Sequence, residues 1–139
     1  MEEAIKTSGL SKGFNGRRVL RDINLAVPRG SIFGFIGPNG AGKTTTIKLL
    51  LGLIKPDAGL STVLGLDSSS QGVELRRRVG YVSEQTVFYP YMRVEELIKF
   101  NAGFFPTWDE KKALQLLEMF DLHPGSRVKE LSKGMRTQL

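Results

Sequence analysis

Residues 37–44 run Gly37-Pro38-Asn39-Gly40-Ala41-Gly42-Lys43-Thr44, which fits G-x-x-x-x-G-K-[ST], and no other stretch restricts the fold as tightly. Glycines let the backbone turn sharply enough for successive N–H groups to point inward. A helix opening at the loop adds the positive end of its dipole. Such a loop is a nest for a polyphosphate. In it Lys43 reaches the β- and γ-phosphates, the Thr44 hydroxyl suits Mg²⁺, and Thr45 with its N–H suits the α-phosphate. At average composition the pattern arises by chance in about one chain in 200 of this length, so the flanking sequence has to decide.

The flanks supply the context that the motif requires. Residues 31–36 form a short, continuous apolar run, which predicts a strand buried on both faces that leads straight into the loop. After Gly42 the spacing turns helical, with Ile47, Leu50, Leu51 and Ile54 on one face, until Lys55-Pro56-Asp57-Ala58-Gly59 stops it. Upstream, residues 5–7, 18–20 and 23–27 read as strands separated by Gly- and Asn-containing turns such as Phe14-Asn15-Gly16. Downstream, residues 60–64 predict a strand, 73–78 a helix, and 79–83 a second buried strand that opens into a loop over 84–93. Two helices follow. The first covers 94–104. The second is introduced by Thr107 with Glu110 three residues on, a capping-box pattern, and buries Ala113, Leu114, Leu116, Leu117 and Phe120. The expected architecture is an α/β P-loop fold with a mixed sheet, an antiparallel β part at the N-terminus, and the start of an α-helical subdomain after it.

Composition narrows the partners. Of 139 residues 40% are hydrophobic and 24% charged, as in an ordinary globular chain. The net charge of +6 suits nucleic acid, a membrane surface or a polyphosphate. Basic residues are scattered apart from Arg76-Arg77-Arg78, which reads as a solvated helix face. There is no basic stripe interleaved with aromatics, so no nucleic acid is expected. The chain has no cysteine, which excludes disulfides and thiolate metal sites. No apolar stretch approaches the roughly 20 residues that span a bilayer. The start Met1-Glu2-Glu3 lacks the basic region of a signal peptide. A cytoplasmic protein is expected, with any membrane association made through a partner.

Gly37-Pro38-Asn39-Gly40-Ala41-Gly42-Lys43-Thr44-Thr45 resembles the Walker A motif of ABC-transporter ATPases. Leu131-Ser132-Lys133-Gly134-Met135 resembles their signature motif, usually L-S-G-G-Q, in the L-S-K-G variant of bacterial export-type subunits. Phe105-Pro106-Thr107-Trp108-Asp109 is similar to a branch that pairs with separate multi-spanning membrane subunits. The resemblance covers essentially the whole chain, as the N-terminal portion of an ATP-binding domain. Residues 1–84 correspond to its β part and P-loop core, and residues 85–139 to the Q-loop and the helical subdomain with the signature.

The resemblance implies a site. Phe14 stands where the family has an aromatic that stacks on adenine, and an aromatic face is a good platform for a purine. Residues 37–45 hold the phosphates of ATP. Glu84 falls at the position of the Q-loop glutamine, with Gln85 one step later, and either of them joins Thr44 at Mg²⁺. Ser132 and Gly134 donate hydrogen bonds to a γ-phosphate held by a second ABC ATPase subunit in a head-to-tail dimer. A transmembrane permease subunit is the other implied partner, docking near residues 84–93 and the helix after them at the inner face of the membrane. The implied function is ATP binding that drives transport, with export of a lipid, peptide or drug suggested by the L-S-K-G variant. The alternative is a non-catalytic truncated or regulatory module that pairs with an intact ABC subunit. The family pattern continues past Leu139 with the Walker B aspartate, the catalytic glutamate, the D-loop and the switch histidine, and this sequence has none of them. The 139-residue chain alone is therefore expected to be marginally stable and to hydrolyse little or no ATP.

Overall fold

The structure is a computed structural model that describes residues 2–83 and 88–139. It forms two compact units, Met1–Tyr81 and Val82–Leu139. In the first, strands β1 (Glu3–Phe14) and β2 (Arg17–Pro28) make a long antiparallel hairpin. The three short strands expected from sequence are parts of this pair. Asn15 and Gly16 close it with φ of 49° and 76°, the conformation of a two-residue hairpin loop. Strand β3 (Ala58–Val63) pairs antiparallel with β1, and β4 (Leu66–Asp67) pairs with β3. The sheet order is β2-β1-β3-β4.

Among the described residues the sheet is wholly antiparallel, not mixed. The apolar runs 31–36 and 79–83 contain no strand. Ile32 and Ile36 are 104% and 95% exposed, and Val82 is 80% exposed. A strand exists through its ladder to a neighbour. Apolar composition recommends burial without supplying a strand partner, and among the described residues neither run forms a ladder.

Helix α1 (Lys43–Leu50) is the element on which the first unit is assembled. Leu49 packs with Leu10 and Leu20 of the hairpin, while Leu50 and Leu51 pack with Val63 and Leu75. Three consecutive leucines thus join two apolar clusters, each side chain contributing about 1.5–3 kcal/mol by burial. The buried face differs from the expected one in that Ile47 is exposed and Thr46 buried. The helix ends in a Schellman arrangement, with Gly52 N–H donating to the Leu49 carbonyl at 3.0 Å and Leu53 N–H to that of Lys48 at 2.9 Å.

Helix α2 (Gly72–Arg76) then returns a cation to that end. Arg76 Nη1 donates to the carbonyls of Leu51 (3.1 Å) and Gly52 (3.3 Å), opposite the negative pole of α1. Arg77 and Arg78 pair with Glu74 on the surface. The arginine run is therefore solvated in two of its three members.

The second unit holds α3 (Val94–Ala102), α4 (Glu110–Met119) and α5 (Lys133–Gln138), with a 3₁₀ turn at Val128–Glu130. Val94, Leu117, Leu122 and Leu131 form its core, flanked by Ile98, Phe120, Met135 and Leu139. The Glu96 carboxylate accepts from Arg93 N–H at 2.7 Å and closes the start of α3. Helix α4 is capped by Asp109, whose Oδ1 accepts from Lys112 N–H at 2.9 Å, and not by Thr107. A carboxylate one residue before the first turn is the better acceptor for its free N–H groups. Leu114 and Leu116 of α4 are exposed, contrary to the sequence pattern, and Leu117 alone is buried.

Gly52 has φ of +64°, and a Cβ built on it lies 2.2 Å from the Ser68 carbonyl oxygen. Ser68 cannot retreat, because its N–H and hydroxyl are bonded to Ser61 O (3.0 Å) and Leu50 O (2.9 Å). Gly52→Ala is expected to destabilise the first unit by about 3 kcal/mol or more, read as a lowered urea midpoint.

Candidate functional site

The loop of residues 37–42 is folded on itself. Ala41 N–H donates to the Pro38 carbonyl at 3.2 Å, with Gly40 at φ +81° inside the turn. Gly42 is the N-cap of α1 in a left-handed conformation, φ 91°, and it is pressed against β2. A Cβ there would lie 2.4 Å from Leu20 Cδ2 and 3.3 Å from the Val19 carbonyl. No residue but glycine meets both conditions.

The start of α1 is deficient in acceptors. Thr46 N–H is bonded to the Gly42 carbonyl at 2.8 Å, and Thr46 Oγ1 donates to the same oxygen at 3.0 Å. The N–H groups of Lys43, Thr44 and Thr45 precede that bond and have no intrahelical partner. No side chain caps the helix and no acidic residue lies in its first turn. Three backbone donors and the positive pole of the dipole therefore converge without an anion. The Lys43 ammonium folds back onto the loop, donating to the carbonyls of Gly37 at 2.5 Å and Pro38 at 2.9 Å. Thr44 is exposed beside it. This donor set fits a polyphosphate, and the exposed Thr44 hydroxyl fits a hard divalent cation such as Mg²⁺.

Phe14 is the last residue of β1 and is 46% exposed. It pairs with Arg17 at the closed end of the hairpin. Val19 and Leu20, against which Gly42 packs, lie two and three residues further along β2, about 7–10 Å at strand rise. The ring and the loop thus share one sheet. The Lys12 ammonium stands 5.4 Å from the centroid of the Phe14 ring.

Two contributors to this region escaped the sequence reading. Asp57 Oδ1 accepts from Lys12 Nζ at 2.6 Å, and its Oδ2 accepts from Gly13 N–H at 2.7 Å. The Lys12 hydrogen bond, followed by that from Gly13, holds the Asp57 carboxyl below its usual range. In sequence Asp57 was legible only as part of a helix stop, and no local signal connects it to residues 12 and 13.

Ser132 and Gly134 belong to the other unit. Ser132 is the N-cap of α5, its Oγ accepting from Met135 N–H at 3.2 Å, and Gly134 lies in the first turn. Leu131 before them is buried, and its carbonyl accepts from Arg136 Nε at 2.9 Å. Glu84 and Gln85 lie outside the described residues. Among those described, no group of three or more His, Cys, Asp or Glu is arranged to hold a metal ion, and no helix is long and apolar enough to cross a membrane.

Comparison with known proteins gives a consistent result. The family model described as "ABC transporter" matches residues 20–139. The bacitracin transport ATP-binding protein BcrA of Bacillus licheniformis is 35% identical over 100% of this chain and 46% of its own length. The daunorubicin/doxorubicin resistance ATP-binding protein DrrA of Streptomyces peucetius is 36% identical over 98% of this chain and 43% of its own. The chain thus spans about half the length of the curated relatives it matches. A solved ATP-binding subunit of an ABC transporter superposes with a TM-score of 0.83 at 31% identity, covering 97% of this chain and 58% of that one.

Because the folded Asp57 pKa lies below its ordinary value of 3.8, this carboxylate stabilises the fold above that pH. The contribution is lost as pH falls through the folded value. The difference in melting temperature between wild type and Asp57→Asn is therefore expected to be constant between pH 7 and about 5 and to shrink below about pH 4, in thermal melts at each pH.

Proposed function

This chain belongs to the ABC transporter ATP-binding family, and from that premise we propose that it binds ATP with Mg²⁺ as the nucleotide-binding component of a transporter. The observation that carries the reading is the uncapped start of α1, where three free N–H groups, a left-handed glycine and a lysine converge without an acidic residue. Lys43 exchanges two neutral carbonyl acceptors for an anionic oxygen when it turns to a phosphate, and charge-assisted bonds are about twice as strong. The anion is therefore able to open the loop's internal contacts. Residues 37–45 hold the phosphates, Thr44 offers its hydroxyl to Mg²⁺, and Phe14 offers a face to the base. Glu84 or Gln85 supplies the remaining contact to the metal. Bound Mg²⁺ supplies charge neutralisation across the β- and γ-phosphates.

Ser132 and Gly134 serve a nucleotide held by a second ABC ATPase subunit in a head-to-tail pair. The membrane partner is a transmembrane permease subunit, which draws the chain to the cytoplasmic face of the membrane. An aromatic row supports that docking. Tyr89, Phe100 and Phe104 follow one another with ring centroids 6.0 and 5.2 Å apart, and Tyr91 lies 5.9 Å from Tyr89. All four rings are exposed, and exposed aromatic clusters mark protein contacts. Relatives named for bacitracin transport and for daunorubicin/doxorubicin resistance favour export of a peptide or drug among the lipid, peptide and drug classes.

Equilibrium binding of a fluorescent ATP analogue with Mg²⁺ tests the central claim. Lys43→Ala is expected to weaken binding tenfold or more, about 1.4 kcal/mol, with an unchanged circular dichroism spectrum. Equal affinity of wild type and variant would refute a phosphate site at this loop.

A further inference from the structure

Past Ser11 the β1 strand outruns its neighbour, since its ladder with β3 ends at the pair Ser11 and Ala58. Lys12, Gly13 and Phe14 therefore have a strand partner on the β2 side only. Asp57 stands on the open side. Asp57 donates its N–H to the Ser11 carbonyl at 3.0 Å, accepts from Gly13 N–H at 2.7 Å, and accepts from Lys12 Nζ at 2.6 Å. It thus engages three successive residues immediately before Phe14. The Lys12 side chain is held nearly buried, 16% exposed, by this pairing, and its ammonium stands beside the Phe14 ring. Asp57 itself sits at the end of the connection that leaves α1, the helix on which the phosphate loop is mounted.

We propose that Asp57 is a positioning residue for base recognition: through Lys12 and Gly13 it fixes Phe14 as a stacking platform and ties that platform to the segment leaving the phosphate-binding helix. The inference rests on the nucleotide-binding reading above and deepens it. A carboxylate serves better than a longer β3 here, because it holds the hairpin end with two acceptor atoms and also sets the lysine against the ring. The cation on one side of an aromatic ring is attracted to its π face, which restrains ring rotation and leaves the exposed part of Phe14 to a purine.

The consequence is a division of affinity. Asp57 should matter for ligands that carry a base and not for those that are phosphate alone. The test measures ATP and inorganic tripolyphosphate, each with Mg²⁺, as competitors of the fluorescent analogue on wild type, Asp57→Asn, Asp57→Ala, Phe14→Ala and the Phe14→Ala/Asp57→Ala double variant. Asp57→Ala is expected to weaken ATP about fivefold to tenfold, with Asp57→Asn intermediate because it keeps an acceptor for Gly13. Tripolyphosphate affinity should stay within about twofold throughout, and Asp57→Ala should add nothing to Phe14→Ala, as expected for residues acting through one contact. Unchanged ATP affinity in the Asp57 variants, or equal loss of ATP and tripolyphosphate, would overturn the positioning role while leaving the phosphate site intact in wild type. Failure of wild type to bind either ligand would overturn the nucleotide reading itself and the positioning role with it. Asp57→Asn keeps side-chain shape and volume, so it serves as the folded variant should Asp57→Ala not fold.

Discussion

The contact between Gly42 and β2 is the constraint on which the rest of the first unit depends. The loop can present its donors only if the residue before α1 adopts a left-handed backbone and lets the Leu20 side chain approach to where a Cβ would be. That approach also sets the position of α1, whose Leu49 reaches the same cluster as Leu10 and Leu20. Leu50 and Leu51 then fix the other side of the helix against Val63 and Leu75. Local backbone chemistry and long-range packing therefore demand the same helix placement. The agreement of the two levels is what specifies a rigid loop on an otherwise small core.

The helix is held differently at its two ends. Its C-terminus is saturated, with two Schellman bonds and two more from Arg76. Its N-terminus has no cap and no acidic neighbour. Capping the start with a side chain would stabilise the isolated helix by about 1 kcal/mol, and without one the first-turn donors have no side-chain acceptor. Stability at one end thus permits unsatisfied chemistry at the other. The same logic extends to Asp57, which anchors the hairpin end where the β3 ladder has run out.

How much of this was legible in the sequence depended on the range of the interaction involved. The turn of residues 37–42, α1, the β3 strand and the helical segment beyond residue 93 follow from spacing and turn residues over windows of about ten positions, and the structure has them. The runs 31–36 and 79–83 are apolar enough to suggest strands, but a ladder depends on a neighbour that no local pattern encodes. Thr107 lost the cap of α4 to Asp109, two residues on, where a carboxylate was also available. Lys12 and Asp57 lie 45 residues apart, so their pairing is a property of the folded sheet and of no local motif. Ring exposure at Phe14 was equally unreadable, since the same residue in the same turn could have packed inward.

Ser132 illustrates how a structural role can leave part of a side chain open to a second one. Taken from sequence, an N-cap and a phosphate contact are rival accounts of a serine before a helix. The hydroxyl has two lone pairs and one proton. Capping α5 uses the oxygen as an acceptor from Met135 N–H, and the proton is not consumed by that bond. A donor thus remains on the capping oxygen, beside the buried Leu131. Arg136 Nε donates to the Leu131 carbonyl from the next turn. The cap therefore leaves the hydroxyl proton available to the phosphate contact proposed for Ser132.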